Sequence, residues 1–123
     1  MNQNISLIYD QQAKVFINKI VGKVDLNRIL DTWQNALESL DIPDNFKGFI
    51  IDCESGHFDF SLKHFEKLVL IYRMHVSKLR NKKVAIIAND PHDVVFSTLL
   101  EFANKYNTKT FSTQEAALYW MDV

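Results

Sequence analysis

The chain has 123 residues, 47% of them hydrophobic and 24% charged, which fits one globular domain over residues 1–123 and excludes the composition of a disordered chain. Its 14 basic and 15 acidic side chains leave a net charge of -1, so no overall field draws it to nucleic acid or to an anionic membrane. The single cysteine, Cys53, excludes an intramolecular disulfide and a thiolate zinc cluster; with no stretch near the ~18 apolar residues of a membrane span and no leader-like Met1–Asp10, no membrane insertion is expected and the expected location is cytoplasmic.

Ile5, Leu7 and Tyr9 alternate as in a strand, Asp10-Gln11-Gln12 is turn-like, and Val15–Val24 reads as a second strand, so the chain opens with a hairpin. Asp25 is placed to cap a helix whose apolar stripe is Leu26, Ile29, Leu30, Trp33, Leu37 and Leu40. Ile42-Pro43-Asp44-Asn45 ends that helix, and Phe49-Ile50-Ile51 before Asp52 has the continuous apolar character of a strand covered on both faces. A helix from about Ser61 to Arg80 puts Leu62, Phe65, Leu68, Val69, Tyr72, Val76 and Leu79 in one core stripe. Val84–Ala88 repeats the buried-strand pattern, and Asp90-Pro91-His92-Asp93 supplies a cap, a first-position proline and a first-turn acid for a helix to about Tyr106. Thr108–Phe111 is a short strand, after which Ser112-Thr113-Gln114-Glu115 has the S-x-x-E form of a capping box opening a last helix toward Trp120.

The order is therefore ββαβαβαβα: an α/β fold with a mixed sheet of about five strands and about four helices, the hairpin preceding parallel strands joined by right-handed crossovers. A flavodoxin-type winding is the alternative, but it requires a helix directly after the first strand, where about fifteen residues show no helical period.

Gly48-Phe49-Ile50-Ile51-Asp52 as the central strand, Lys83-Val84-Ala85-Ile86-Ile87 as the next, and the ending Phe111-Ser112-Thr113-Gln114-Glu115-Ala116-Ala117-Leu118-Tyr119-Trp120 resemble in type and order the STAS-type domains. These have the fold of the sporulation anti-sigma factor antagonist, and the likeness is greatest to small stand-alone SpoIIAA-like relatives over nearly the whole chain. In those antagonists a serine of a D-S-S-G motif at the start of the second helix is phosphorylated to switch partner binding. Here Asp59-Phe60-Ser61-Leu62 stands in that place, with Phe60 for the first serine and Leu62 for the glycine. The resemblance implies Ser61 as the phospho-switch position; the residue types themselves read Ser61 or Asp59 as a helix cap.

No nucleophile elbow, phosphate loop or dinucleotide fingerprint occurs, and Gly22, Gly48 and Gly56 stand too far apart to build one. Asp52 at a strand end invites the phospho-acceptor of a receiver domain, yet Asp10 is a lone acid in a turn and Lys109 begins its strand. His64 and His75 are about 16 Å apart by helical rise and cannot share an ion; His57 is expected in a loop and His92 in a helical first turn. Glu54, His57 and Asp59 form a candidate acid–base group near a strand's C-terminal end, without an oriented nucleophile. Lys78, Arg80, Lys82 and Lys83 read as solvated charge at a helix C-terminus, and Cys53 as core. No catalytic residue, metal or cofactor is expected.

On the second helix, Leu70, Ile71 and Met74 fall opposite the core stripe, where a surface helix carries polar groups. With Asp59 and Phe60 they form the candidate partner or ligand surface. The function read from these features is a non-enzymatic STAS-like regulatory or protein-interaction module, with a protein partner or a homodimer contact on that helix. The alternative is a carrier or sensor of a small apolar or lipid-like ligand, on the related CRAL-TRIO layout, with Phe58, Phe60 and Phe65 lining its pocket.

Overall fold

Strand β1 (Ile5–Asp10) turns back on β2 (Val15–Asp25) as an antiparallel hairpin, with Ile5 opposite Ile20 and Asp10 opposite Val15. The turn is set by Asp10, whose Oδ1 accepts from the N–H groups of Gln12 and Ala13 at 2.9 Å each, and by Lys14 at φ 60°. The chain continues through α1 (Leu26–Glu38), β3 (Gly48–Asp59), α2 (Leu62–Met74), a single turn α3 (Val76–Leu79), β4 (Lys83–Ile87), β5 (Thr108–Phe111) and α4 (Gln114–Asp122). This computed structural model describes residues 4–39, 42–59, 62–91, 94, 95, 98, 101 and 107–122, except for the side chains of Phe58, Asp59, Leu62, His64, Phe65, Tyr72 and Val76. Leu40, Phe60, Ser61, His92 and part of the helix expected up to Tyr106 lie outside the described residues; positions 91, 94, 95, 98 and 101 of that helix are helical.

The sheet runs in the order β1-β2-β3-β4-β5, parallel from β2 onward. Because every parallel crossover steps the same way, right-handedness puts the crossover helices on one face. That face holds the larger core, with Leu26, Ile29, Leu30, Trp33 and Leu37 of α1 and Leu68 and Ile71 of α2 packed on Phe16, Ile20, Phe49, Ile51, Val84 and Ile86. Only α4 lies on the other face among the described residues, its Ala117 and Met121 against Val15, Ile17, Ile50, Ala85 and Ile87. A stack of rings fills the larger core: Trp33 lies over Phe49 at 4.5 Å between centroids, and Phe16 lies over Phe49 at 5.5 Å. Each such pair adds about 0.5–1.5 kcal/mol beyond area burial.

One polar side chain is sunk in that face. Asn18 is fully buried; its Oδ1 accepts from Trp33 Nε1 at 2.6 Å and its Nδ2 donates to Thr32 Oγ1 at 2.9 Å, so both polar atoms of the amide have a partner on α1 and fix that helix on the sheet. The expected cap of α1 is present, with Asp25 accepting from the N–H of Asn27 at 2.7 Å. The last helix departs from the expected S-x-x-E box. Its cap is Thr113, whose Oγ1 accepts from the N–H of Ala116 at 3.1 Å, so the N-terminus falls one residue later and Glu115 stands at the second helical position instead of the third.

Strand β3 is the largest departure from the sequence reading. The stretch after Asp52, expected as a loop, is strand as far as Asp59 and pairs with the second half of β2, Lys23 with His57 and Asp25 with Asp59. The register steps from Lys19 opposite Asp52 to Val21 opposite Ser55, so Cys53 and Glu54 together stand against Ile20 in a bulge. Gly22 and Gly56 pair just beyond it; a Cβ on Gly56 would meet the Gly22 carbonyl oxygen at 2.8 Å, so the close approach of the strands needs glycine there.

Candidate interaction surface

Asp52 ends the doubly covered part of β3. It is 2% exposed, and its Oδ1 accepts from the N–H of Glu54 at 2.9 Å, so the carboxylate binds a backbone donor in the bulge. This is a local structural task, unlike that of a receiver's phospho-acceptor. Glu54 and His57, expected in a loop, are exposed on β3, Glu54 within the bulge and His57 paired with Lys23; Asp59 ends the same strand. The strand order never reverses, so the crevice at which doubly wound sheets bind ligands has no counterpart in this topology. Among the described residues no group of three or more His, Cys, Asp or Glu converges as a metal site. Cys53 is buried in the larger core.

The basic cluster is not simply solvated. The Nζ of Lys78 donates to the Leu37 carbonyl at the C-terminal end of α1, and that of Lys82 to the carbonyls of Asp44 at 3.3 Å and Phe46 at 2.5 Å. Lys83 donates to the Trp120 carbonyl in the last turn of α4 at 2.8 Å. Lys78 and Lys83 thus complement the carbonyls and dipole at the C-terminal ends of neighbouring helices, and Lys82 ties the loop before β3. Burial lowers the pKa of Lys82, against an opposing pull from Asp44.

Helix α2 carries the surface of interest. It breaks at His75, whose N–H donates to Ile71 O at 3.0 Å and whose carbonyl accepts from the N–H groups of Lys78 and Leu79 at 3.0 and 2.9 Å. It is held against α1 by Lys67, which donates to Asn27 Oδ1 at 2.6 Å and Asp31 Oδ1 at 2.5 Å. The helix faces the sheet through Leu68, Ile71 and, beyond the break, Leu79. The expected orientation is therefore corrected by a rotation of roughly 70°. Ile71, read as part of the outward patch, is 1% exposed and belongs to the core; Val69, read as core, is 50% exposed. Leu70 and Met74 are outward as expected, at 54% and 58%.

Three exposed apolar side chains thus lie within six residues on one helix. Leu70 and Met74, with the edge of Ile71, line an open groove of about 570 Å³ whose polar wall is Gln34, Lys63, Glu66 and Lys67. A second open concavity, of about 640 Å³, lies on the far side of the sheet among Phe111, Thr113, Glu115, Ala116, Tyr119 and Trp120. Trp120 there is flanked by Phe111 at 5.5 Å and by the Nζ of Lys83 at 5.1 Å from its ring. The periodicity of α2 signalled surplus apolar residues but not which of them would be outward; the Tyr119–Trp120 concavity was not anticipated, although Leu118-Tyr119-Trp120 in a short helix is its visible sign. No helix among the described residues is long and apolar enough to cross a membrane.

No family model matches the chain, and a search of curated proteins found no similar sequence. Solved structures do match. An anti-sigma-factor antagonist (STAS) domain protein from Planctomyces limnophilus is 17% identical with a TM-score of 0.66, over 98% of this chain and 100% of its own. A protein of the DUF3478 family with a SpoIIAA-like fold, from Shewanella loihica, is 20% identical with a TM-score of 0.59, over 98% of each chain. The Bacillus cell fate determinant SpoIIAA in its phosphorylated form is 12% identical with a TM-score of 0.58, over 94% of this chain and 97% of its own. At these identities the likeness is one of architecture, and with the mixed five-stranded sheet it establishes that the chain has the SpoIIAA-like, STAS-type fold.

Proposed function

We propose that the chain is a regulatory protein-interaction module of STAS type, without catalytic chemistry of its own, and that the outward face of α2 is its docking surface. One observation carries this reading: Val69, Leu70 and Met74 stand about half exposed on one helix that turns Leu68 and Ile71 into the core. The fold supports it, since two of the matching structures are an anti-sigma-factor antagonist (STAS) domain protein and SpoIIAA. An open groove with a charged wall suits a protein side chain better than a small apolar ligand, which buries most of its own surface in an enclosed pocket. That contrast ranks the carrier reading second.

The test uses a photo-crosslinker at position 70 in the full chain expressed in its native host. The expected result is one dominant crosslinked protein, lost when Met74→Lys is added and kept when Lys19→Glu is made on the opposite sheet face. Crosslinks indifferent to Met74→Lys, or a reproducible lipid in native mass spectra of the purified chain, would reject the reading.

The Ser61 switch implied by the family motif is proposed to be absent. Phe60 and Leu62 replace the small residues that present the serine in that motif, and a serine at a helix start has a capping role open to it.

A further inference from the structure

The occupant of the α2 face can be named from its charges. With Leu68 and Ile71 turned inward, the residues opposite them on the helix are Glu66, Val69, Leu70 and Arg73, within a sector of about 100°. All four are exposed. Among the described residues neither Glu66 nor Arg73 has an ion pair or a side-chain hydrogen bond, unlike Lys67 one residue away. The pattern is charge, apolar, apolar, opposite charge at i, i+3, i+4 and i+7, and it reads the same in both directions except that the sign of the charge inverts.

Such a face is complementary to itself, and in one arrangement only. Two copies of the helix laid antiparallel about a two-fold axis between positions 69 and 70 bring each Glu66 opposite Arg73 of the second copy, and Val69 opposite its Leu70. The parallel arrangement sets Glu66 against Glu66 and Arg73 against Arg73, and is repelled. We infer that the α2 face docks a second copy of this chain through an antiparallel α2–α2 contact closed by two Glu66–Arg73 pairs. The inference rests on the proposed use of this face for protein docking and names its occupant. A single helix face offers less than the ~800 Å² per partner of a standard interface, so the association is weak and shows itself only at high concentration.

The test is sedimentation equilibrium of the full chain from about 10 μM to about 1 mM. The wild type is expected to self-associate in this range. Glu66→Arg and Arg73→Glu are each expected to raise the dissociation constant on the order of tenfold, because like charges then meet twice across the axis. An equimolar mixture of the two single variants is expected to associate at least as well as the wild type, since every facing pair is again opposite in sign; so is the double variant E66R/R73E. Unchanged circular dichroism and urea melts of each variant would show that the monomer is intact. A wild type that stays monomeric at about 1 mM, or a mixture no stronger than its components, overturns the inference. If the position-70 crosslink to a different protein then survives, only the second-copy inference falls; if Met74→Lys alters neither experiment, the docking reading falls with it.

Discussion

The rotation of α2 is open to a direct test, because two adjacent residues of the same aliphatic class have opposite fates. Ile71 is 1% exposed among Leu68, Phe49 and Leu79, whereas Leu70 is 54% exposed over an open groove. Truncating a buried Ile to Ala removes its transfer free energy and leaves a cavity, together about 2–5 kcal/mol. Truncating a half-exposed Leu loses little more than helix-surface contacts, about 0.5 kcal/mol. For a chain of 123 residues the unfolding entropy is about 0.26 kcal/mol/K, so each kcal/mol moves Tm by about 4 °C. Ile71→Ala is therefore expected to lower Tm by roughly 8–20 °C and Leu70→Ala by about 2 °C. Urea melts followed by tryptophan fluorescence report it well, since Trp33 is buried against Phe49 in the same core. The midpoint should fall at unchanged slope. Equal losses for the two variants, or the larger loss at Leu70, would refute the orientation and the outward face built on it. Lysine at position 71 is accordingly expected to abolish folding rather than to report on association.

Asn18→Ala strands the Trp33 indole N–H in the core and is expected to cost about 1–3 kcal/mol; pairing it with Trp33→Phe should cost less than the sum, by about 1 kcal/mol in a double-mutant cycle, and strict additivity would count against the amide link. Gly48→Ala would place a Cβ 1.8 Å from the Lys83 carbonyl oxygen at φ 154°, so a loss of roughly 4 kcal/mol or more is expected, read by equilibrium denaturation; a near-neutral result would mean that β3 and β4 do not meet at this register. Lys47 donates to the exposed Asp122 carboxylate at 2.7 Å and, by that bond first and its charge second, holds the carboxyl below its ordinary value of 3.8. A depressed folded-state pKa gives stability that is present above the unfolded value and lost as pH falls through the folded one, so the pair's contribution is in place above about pH 4 and is lost in stronger acid. Lys47→Met should raise the Asp122 midpoint in an NMR titration, and an unmoved midpoint would deny the pair. Ser61→Asp is expected to leave the α2 crosslink intact; its loss at unchanged stability, or phosphate on Ser61 in protein from the native host, would restore the switch.

What the sequence made legible followed from periodicity and capping chemistry. The Asp10 turn, the Asp25 cap, the Leu26–Leu37 stripe and the apolar runs at 49–51 and 84–88 each carry a local signal, and together they imply the order of elements. The second half of β3 has none, because Glu54-Ser55-Gly56-His57 neither alternates nor clusters apolar residues. Its strand character comes from pairing with β2 across the Gly22–Gly56 approach, a contact more than thirty residues away in sequence. The outward face of α2 was half legible. Leu68-Val69-Leu70-Ile71-Tyr72 is apolar all round the helix, so the period alone cannot choose a face; the crossing over the sheet and the Lys67 link to α1 choose it. The capping box at 112–115 slipped by one because Ser112 and Thr113 are both competent caps.

Five lysines fasten one part of the chain to another: Lys47 reaches Asp122, Lys67 reaches Asn27 and Asp31, Lys78 reaches Leu37, Lys82 reaches Phe46 and Lys83 reaches Trp120. The bonds of Lys78, Lys82 and Lys83 end on backbone oxygen, so they hold wherever the acceptor's own side chain is replaced. They fail when the ammonium is neutralised. Amine acylation thus becomes a stopwatch for opening of this fold. The unanchored Lys19 and Lys23 on β2 should acquire acetyl groups at the rate of a free amine, and Lys78 and Lys83 only as fast as the last turns of α1 and α4 let go.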